Sequence, residues 1–152
     1  MRKIKLTQGK QAIVDDNDFD ELNKYKWYTK HQCRNYYVVR HHPLNHGRLI
    51  WMHRIIMGDN HGMDIDHING NGLDNRKINL RFCTRSQNNQ NQRMRNKKFK
   101  GFSKRDNTYQ ARITVSGKRI YIGSYRSQIG AALAYNIAAK LYFGDFARLN
   151  RI

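Results

Sequence analysis

The sequence predicts an α+β fold built from two modules, on the basis of three patterns. Short apolar and aromatic runs separated by polar turns predict a small β-rich N-terminal segment. A strand, loop, strand and helix pattern follows at about residues 62–95. Beyond a polar, basic stretch, the chain changes to strands that alternate apolar and polar residues and then to one helix. We therefore expect a first module over residues 1–95 and a second module over residues 96–152, a three-stranded antiparallel sheet packed on that helix.

The N-terminal segment is predicted to be mostly strand. Apolar runs at residues 12–14 and 36–39 are typical of strands, while the acidic stretch at residues 15–24 predicts one or two helical turns between them. The run at residues 49–57 is rich in Met and Leu and stops at Gly58, which favours a short helix.

The next segment is predicted as strand, loop, strand and helix. Residues 69–75 are rich in Asn and Gly, which tolerate a left-handed backbone and bond to their own chain, so a compact loop is expected. It separates short strands at residues 62–68 and 80–83. Thr84, with Gln87 three positions later, forms a capping-box pattern that predicts a helix over residues 85–95.

The second module is predicted to be a hairpin followed by a helix. Residues 109–115 and 119–122 alternate in polarity, and Ser116-Gly117 is suited to the turn between them. Ser127 can cap a helix that Gly144 ends. Apolar residues recur at every fourth position of this helix, so we expect this stripe to cover one face of the sheet. The stripe consists of Ile129, Leu133, Ile137 and Leu141.

The charge of the chain points to a polyanionic partner. Lys and Arg number 29 against 11 acidic residues, a net charge of +18. Eleven of these cations lie between Arg93 and Arg126, where Asp106 is the single acid. A basic surface needed only for solubility would not require such clustering, so nucleic acid is the expected partner.

The sequence argues against a membrane or secreted protein. No apolar run approaches the roughly 18 residues that a membrane helix needs, and no signal-peptide core follows the basic start. Cys33 and Cys83 form no C-x-x-C pair, so neither a disulfide framework nor a cysteine zinc site is expected, and both should be buried. We expect a cytoplasmic protein without membrane association.

One face of the second sheet is expected to stay exposed and to contact DNA. Its alternating polar residues alone would fit an ordinary solvated face, but the clustered charge favours contacts with phosphates and base edges. The residues expected on or beside this face are Lys104, Arg105, Arg112, Thr114, Lys118, Arg119 and Tyr121.

Asp66 and His67 are the candidate reacting pair. Hydrolysis of a phosphodiester needs a proton acceptor for water and a cation beside the phosphate. His67 titrates in the right range, and the adjacent Asp66 can hold a divalent ion. The carboxamides of Asn79 and Asn88 can complete a metal site or orient the imidazole, and Asn91 lies on nearly the same helical face as Asn88. Neighbouring strand residues point to opposite faces, so Asp66 and His67 can serve one site only if the strand ends or distorts there.

Several short motifs lie within residues 52–91. They are Ile65-Asp66-His67-Ile68-Asn69-Gly70-Asn71, Leu73-Asp74-Asn75-Arg76, Asn79-Leu80-Arg81 and Asn88. Together they resemble the core of phage and intron HNH homing endonucleases, whose motif folds as a ββα-metal (His-Me) finger.

The resemblance implies His67 as general base, Asp66 and Asn88 as metal ligands and Asn79 as the residue that orients His67. The rival to Asn88 is Asn91. The expected metal is Mg²⁺, with Mn²⁺ as a substitute, and no structural zinc is implied. Within the same motifs, Arg76 and Arg81 are expected to contact DNA. His53, which also matches a recurrent feature of the family, is expected to pack beside the finger.

The second module carries motifs of its own. They are Lys100-Gly101-Phe102, Tyr109-Gln110-Ala111-Arg112-Ile113, Ile122-Gly123-Ser124-Tyr125, Ala131-Ala132-Leu133-Ala134-Tyr135-Asn136 and Ala147-Arg148-Leu149-Asn150. They resemble the ethylene-response-factor (Apetala-type, AP2/ERF-like) DNA-binding domain. This resemblance implies that the sheet enters the major groove of double-stranded DNA and that the helix packs behind it.

The sequence therefore predicts a metal-dependent, site-specific homing endonuclease that acts on double-stranded DNA as a monomer or dimer. One site is expected to nick one strand, and the resemblance implies products with a 5′-phosphate and a 3′-hydroxyl. The alternative is a DNA-binding transcriptional regulator whose nuclease finger is inactive. RNA is disfavoured as the partner, because both modules resemble proteins that bind duplex DNA.

Overall fold

Four small antiparallel sheets and four α-helices account for most of the residues that the computed structural model describes, namely 1–32, 35–58, 60, 62–92 and 99–152. This mixture confirms the predicted α+β class. Contacts within the chain form two units, Met1–Arg85 and Ser86–Ile152, and each unit is described by itself.

The first unit consists of short strands with two helices between them. Its strands are β1 (Arg2–Lys5), β2 (Gln11–Val14), β3 (Tyr28–Gln32), β4 (Asn35–His42), β5 (Asn45–Trp51), β6 (Asp64–His67) and β7 (Leu80–Cys83). Its helices are α1 (Asp16–Leu22) and α2 (Met52–Met57), with 3-10 turns at Thr7–Gly9 and Lys77–Asn79. The sheets are β1-β2, β3-β4-β5 and β6-β7.

One apolar core holds this unit together. It includes Val14, Leu22, Trp27, Val38 and Met52, which come from sheets and helices on either side of it. The indole N–H of Trp27 donates to the carbonyl oxygen of Leu22 at 2.8 Å, so the largest core residue leaves no buried donor unpaired.

The helix predicted over residues 49–57 is too long at its N-terminal end. Leu49, Ile50 and Trp51 belong to β5, and α2 begins at Met52 and ends at Gly58, whose φ is +75°. Pairing with β4, in which Trp51 lies opposite Val39, satisfies the backbone groups of these residues and outweighs their local helical preference.

The second unit contains a three-stranded sheet and two helices. Its elements are α3 (Arg85–Asn91, whose first residue belongs to the first unit), β8 (Phe102–Arg105), β9 (Thr108–Val115), β10 (Lys118–Tyr125) and α4 (Gln128–Phe143), followed by a 3-10 turn at Gly144–Phe146. The strand order is β10-β9-β8. The start of the predicted helix at Arg85 is confirmed, but α3 ends at Asn91 and Gln92 is not helical; the predicted last residues, 93–95, lie outside the described residues.

The predicted hairpin turn and the predicted ends of α4 are confirmed, while the second strand of the hairpin is longer than predicted. Ser116 and Gly117 both have positive φ, 49° and 78°, as the tight turn of a twisted hairpin requires. The hydroxyl of Ser127 accepts a hydrogen bond from the backbone N–H of Gly130 at 3.0 Å and so caps α4.

The predicted apolar stripe of α4 is wrong. Ile129, Leu133, Ile137 and Leu141 are 51%, 48%, 73% and 79% exposed. The face that covers the sheet carries small residues and one ring, namely Ala131, Ala132, Ala134, Tyr135, Ala138 and Ala139. Small side chains let the helix lie close to the strands, where the large side chains of the stripe would hold it away.

Asn150 joins the start of the sheet to α4. Its side chain accepts from the backbone N–H of Lys100 at 2.6 Å and donates to the carbonyl oxygens of Lys100 and Ala132, at 3.0 and 3.3 Å. Its backbone N–H and carbonyl oxygen bond to the side chain of Asn136. Two polar residues quoted for the Apetala-type resemblance therefore stabilise the fold.

Two expectations from composition can be compared with the structure. Among the described residues, no helix is long and apolar enough to cross a membrane. Cys83 is buried, as predicted, and burial raises the pKa of its thiol to about 11, which makes it unreactive near neutral pH. Cys33 lies outside the described residues.

Candidate active site

Asp66 and His67 are the last two residues of β6, and both are buried. In the ladder with β7, Asp66 lies opposite Arg81 and His67 opposite Leu80. The backbone turns directly after His67, where the N–H of Gly70 donates to the His67 carbonyl oxygen at 2.7 Å and Gly70 has a φ of +72°. The strand therefore ends directly after His67, while both Asp66 and His67 are still paired with β7.

The imidazole of His67 lies against the side chain of Asn75. Its Nε2 is 3.4 Å from Oδ1 of Asn75, a residue that is fully buried. The Asn75 amide nitrogen donates to the carbonyl oxygen of Gly72 at 3.4 Å, which turns the Oδ1 atom towards the imidazole. Because Oδ1 is only an acceptor, this contact is a hydrogen bond in the tautomer whose Nε2 carries the proton, and in that tautomer Nδ1 is the nitrogen that can accept one.

Burial lowers the pKa of His67 below its usual value of 6.5, against the contact with Asn75 and the charges of Asp66 and Asp74, which raise it. The imidazole is therefore neutral near pH 7. A neutral imidazole with one nitrogen held by a hydrogen bond has the form that a general base needs.

An aromatic cluster surrounds the other side of His67. The ring of His53 lies 5.2 Å from the ring of His67, nearly perpendicular to it, and the ring of Tyr37 lies 5.8 Å away. The ring of Trp51 lies 5.8 Å from the ring of His53. These contacts place His53 beside His67, where the sequence predicts it.

His53 is itself buried and neutral. Burial, with smaller effects from His67 and Arg54, lowers its pKa to about 3. Its Nδ1 atom has no hydrogen-bond partner among the described residues. The ring of His53 therefore packs against His67 as an uncharged group.

Asp66 is paired with a cation inside the site. Its Oδ2 atom accepts hydrogen bonds from Nε and Nη2 of Arg81 at 3.0 and 2.7 Å, and both side chains are largely buried. Arg81, expected to contact DNA, is thus placed against the candidate metal ligand. In this structure the charge of Asp66 is balanced by Arg81.

The chemistry of Asp66 is suited to a hard divalent cation. Among the described residues, no cluster of three or more His, Cys, Asp or Glu side chains could hold a metal ion. Mg²⁺ does not need such a cluster, because one or two carboxylates with substrate phosphates and water usually complete its shell. Asp66 can serve as that carboxylate if the cation replaces Arg81 as its partner.

The loop after β6 is held by its own polar side chains. Asn79 accepts from the backbone N–H of Asn69 at 3.0 Å and donates to the carbonyl oxygen of Asp74 at 2.7 Å. The carboxylate of Asp74 accepts from Asn69 and, through two bonds of 2.8 and 2.7 Å, from Arg76. Asn79 therefore positions the loop that follows His67, and Arg76 contributes to the same network of hydrogen bonds.

The loop also packs against two strands of the first unit. Ile13 of β2 exchanges backbone hydrogen bonds of 2.9 and 2.8 Å with Leu73 and Asn75. A Cβ atom on Gly72 would lie 2.5 Å from the carbonyl oxygen of Tyr36 and 2.7 Å from the ring of Tyr37. The backbone of Gly72 thus lies so close to Tyr36 and Tyr37 that only glycine fits there, and this contact joins the loop to the aromatic cluster around His67.

Sequence reasoning did not assign a role to Asn75, although its side chain lies within hydrogen-bond distance of the His67 imidazole. The Asn-rich loop was predicted to be compact and to bond to its own chain, which the structure confirms. Its composition gives no sign of which Asn turns inwards, because Asn69, Asn71 and Asn75 all suit a turn.

Asn88 and Asn91 both lie on α3, in the second unit. Asn88 is partly exposed and Asn91 is buried. Lys100 donates from Nζ to the carbonyl oxygens of Gln90 and Gln92, at 2.8 and 3.1 Å, at the end of this helix. The assignment of Asn88 or Asn91 as a metal ligand stays a prediction.

The sheet of the second unit brings together most of the residues expected to contact DNA. In the ladders Arg119 lies opposite Thr114, Tyr121 opposite Arg112, and Arg105 opposite Thr108. The face that does not carry the apolar residues packed against α4 therefore presents Arg105, Arg112, Thr114, Arg119 and Tyr121. Lys104 and Lys118 lie opposite Tyr109 and Val115, and so at the edges of the other face.

Comparisons with known proteins bear directly on this site. A profile of the family described as HNH endonuclease matches residues 48–90, which include His53, Asp66, His67 and Asn79. An uncharacterized HNH endonuclease of Acanthamoeba polyphaga mimivirus is 31% identical over 148 residues, which cover 95% of this chain and 77% of that protein. On this similarity, which extends through both units, the chain belongs to the HNH endonuclease family.

Proposed function

We propose that this member of the HNH endonuclease family is an active, divalent-metal-dependent nuclease on duplex DNA, and that Asp66 and His67 are its reacting pair. One observation carries the proposal. A neutral, buried imidazole, oriented by Asn75, stands at the end of β6 directly after a buried carboxylate. A histidine with a purely structural role would not need this combination of burial, fixed orientation and an adjacent acid.

In the proposed reaction His67 removes a proton from the attacking water through Nδ1. Asn75 holds the opposite nitrogen, and His53 and Tyr37 prevent the ring from turning away. Because burial keeps the imidazole neutral, the base is already in its reactive form near pH 7.

The proposed metal ligands are Asp66 and Asn88, with Asn91 as the rival of Asn88. Mg²⁺, or Mn²⁺ in its place, would neutralise charge on the phosphate oxygens and on the departing 3′ oxygen. Arg81 lies beside Asp66 and, once released from it, is suited to bind a phosphate of the DNA. The proposed products carry a 5′-phosphate and a 3′-hydroxyl.

The second unit is proposed to hold the DNA. The face with Arg105, Arg112, Thr114, Arg119 and Tyr121 combines cations, a hydroxyl and an aromatic ring on an exposed sheet, as a surface that contacts phosphates and base edges does. The Apetala-type resemblance supports this role. We propose that this unit supplies the sequence recognition of a site-specific, nicking homing endonuclease.

A second candidate function is a DNA-binding regulator with an inactive finger. The observation in its favour is the ion pair between Asp66 and Arg81, which occupies the candidate metal ligand. In an inactive finger this pair would be permanent.

The two functions are separated by incubation of the purified protein with supercoiled plasmid in Mg²⁺, in Mn²⁺ and in EDTA. We expect nicked circles in the metal-containing reactions and none in EDTA, and resealing by DNA ligase would identify the proposed end groups. If no nicks form with any divalent metal while the plasmid is still bound, the protein is the regulator.

A further inference from the structure

The outer face of α4 carries a row of exposed apolar residues. It carries Ile129, Leu133, Ile137 and Leu141, one at every fourth residue, with exposures between 48% and 79%. Four large aliphatic side chains in one row leave an apolar area on the order of 400 Å², which is the size of the largest apolar patch on a typical monomer, and such patches are often functional.

Nucleic acid is not a suitable partner for this face. Lys140 is its one cation among the exposed residues of α4, and Lys140 pairs with Asp145 at 3.1 Å. In a chain with a net charge of +18, a helix face this poor in cations differs sharply from the sheet face of the same unit. A surface of the same apolar chemistry is the expected partner.

The row is self-complementary. When two copies of α4 lie antiparallel about a two-fold axis at the level of Tyr135, Ile129 of one copy lies opposite Leu141 of the other, and Leu133 lies opposite Ile137. All four positions then meet an aliphatic residue, and both helices present the i, i+4 ridge that packs most commonly in globular proteins.

The ends of the row are complementary as well. A cavity of about 350 Å³ lies at the Ile129 end, lined in part by Phe99, Ile129 and Ile152. The most exposed aliphatic residue of the row, Leu141, lies 12 positions later, about 18 Å along the helix axis. The antiparallel arrangement directs each Leu141 towards the cavity of the other copy.

The charges beyond the helix ends also match. Asp145 follows α4 and is exposed, and Arg126 precedes its cap, Ser127. The same two-fold axis brings Asp145 of one copy towards Arg126 and the N-terminal end of α4 in the other. An acidic group is favourable beside a helix N-terminus and a cation.

We propose that the outer face of α4 is a homodimer interface in which two copies of this chain pair antiparallel through Ile129, Leu133, Ile137 and Leu141. The sheet face proposed for DNA lies on the other side of the sheet and stays free in each copy. Since one site cuts one strand, pairing would bring the second site that a double-strand break needs. The interface itself does not depend on the proposed nuclease activity.

The test is the oligomeric state of the full chain, measured by sedimentation equilibrium over a range of concentrations without DNA. We expect a dimer for the unchanged protein. Leu133→Glu and Ile137→Lys, each alone, should weaken the dimer at least about 100-fold, because each buries a charge against an aliphatic residue. The matched control is Leu44→Glu, which places the same charge at a 90% exposed position of the first unit.

The double variant Leu133→Glu with Ile137→Lys tests the orientation of the pair. In an antiparallel dimer each Glu faces a Lys of the other copy, so the double variant should regain at least about tenfold of the lost affinity. The two substituted side chains are also a favourable i, i+4 pair within one helix, so we expect α4 to stay folded in the double variant. Circular dichroism checks this by comparing the helical content of the variant with that of the unchanged protein.

A monomeric unchanged protein at micromolar concentrations would overturn the proposal, as would single variants that dimerise as well as Leu44→Glu. A double variant that stays as weak as the single variants would exclude the antiparallel arrangement. Nicking activity plays no part in these outcomes, so a failure here is distinct from a failure of the proposed function.

Discussion

His67 depends on three neighbours that act in different ways. Asn75 chooses which nitrogen carries the proton, His53 and Tyr37 restrict the ring, and burial keeps it uncharged. None of these contacts adds a charge in direct contact with the imidazole. Burial, rather than a charge in contact with the ring, therefore keeps the imidazole of His67 neutral.

Replacement of His67 by Ala should lower the rate of plasmid nicking at least about 100-fold, which is the scale of lost general-base catalysis. Binding of DNA should survive, because the residues proposed to hold the duplex lie in the second unit. The measurements are single-turnover nicking rates and a binding titration in Ca²⁺. His31→Ala, at an exposed position of β3, is the control. Full nicking by the His67 variant would show that another group is the base.

Replacement of His53 by Phe should flatten the dependence of stability on pH. In the folded protein His53 stays neutral down to about pH 3, whereas in the unfolded chain it takes up a proton below its usual pKa of 6.5. The unfolded state binds more protons, so stability falls as the pH drops below 6.5.

The variant lacks this contribution, which amounts to as much as about 1.4 kcal/mol per pH unit between pH 6.5 and 4.5. Urea unfolding at several pH values measures the difference. His31→Phe, with the same change at an exposed residue, is the control. Parallel pH profiles for the His53 variant and the unchanged protein would contradict the buried, neutral state of His53.

At the scale of elements, the loop between β6 and β7 holds the site as much as the strands do. It is tied to β2 through Leu73 and Asn75 and to itself through Asn69, Asp74 and Asn79. Its carbonyl at Gly72 fixes the amide that contacts His67. A change in the loop should therefore reach the reacting imidazole.

Replacement of Gly72 by Ala tests this connection. The added Cβ atom would overlap the carbonyl oxygen of Tyr36 and the ring of Tyr37, so the loop or β4 must move. We expect a loss of about 1–3 kcal/mol in the free energy of unfolding and at least about a tenfold lower nicking rate. Gly47→Ala is the matched control, because its Cβ would meet nothing closer than 3.4 Å. Unchanged nicking by the Gly72 variant would show that the loop does not position His67.

The α4 helix has two apolar faces, and only one of them packs on the sheet. The face of alanines covers the sheet, while the row of large Ile and Leu residues is exposed. The row of Ile and Leu is left for another partner, which is the basis of the proposed dimer.

At the scale of the whole molecule, we propose that the first unit carries the reacting pair and that the second unit holds the DNA. The first unit carries Asp66 and His67, and two of its cations near them, Arg76 and Arg81, are already paired with carboxylates. The second unit carries a sheet face with Arg105, Arg112 and Arg119. Affinity for DNA should therefore respond mainly to the second unit.

Replacement of Arg112 and Arg119 by Gln should weaken binding and flatten its salt dependence. Each lost phosphate contact removes roughly 0.9 from the slope of log K against log salt, so the pair should remove about 1.8. Titrations of duplex DNA at several salt concentrations measure the slope. The control with the same loss of charge is Lys3→Gln with Lys5→Gln, both exposed on β1 of the first unit. An unchanged slope for the Arg variant would show that this sheet face does not contact DNA.

The sequence by itself determined most elements of this protein and pointed to Asp66 and His67 as its candidate reacting pair. Local chemistry decides these features: glycines with positive φ end α2 and turn the hairpin, Ser127 caps α4, and Asp66 and His67 stand together in a short motif. A pattern that depends on neighbours along the chain can be predicted from the chain alone.

Only the tertiary structure decided which side chains meet. Asn75 rather than another Asn contacts His67, Arg81 pairs with Asp66, and alanines rather than the Ile and Leu row cover the sheet. The physical reason is the same in each case. Such contacts depend on the distance between segments far apart in the chain, and close packing selects the residue that fits the space rather than the one with the strongest local pattern.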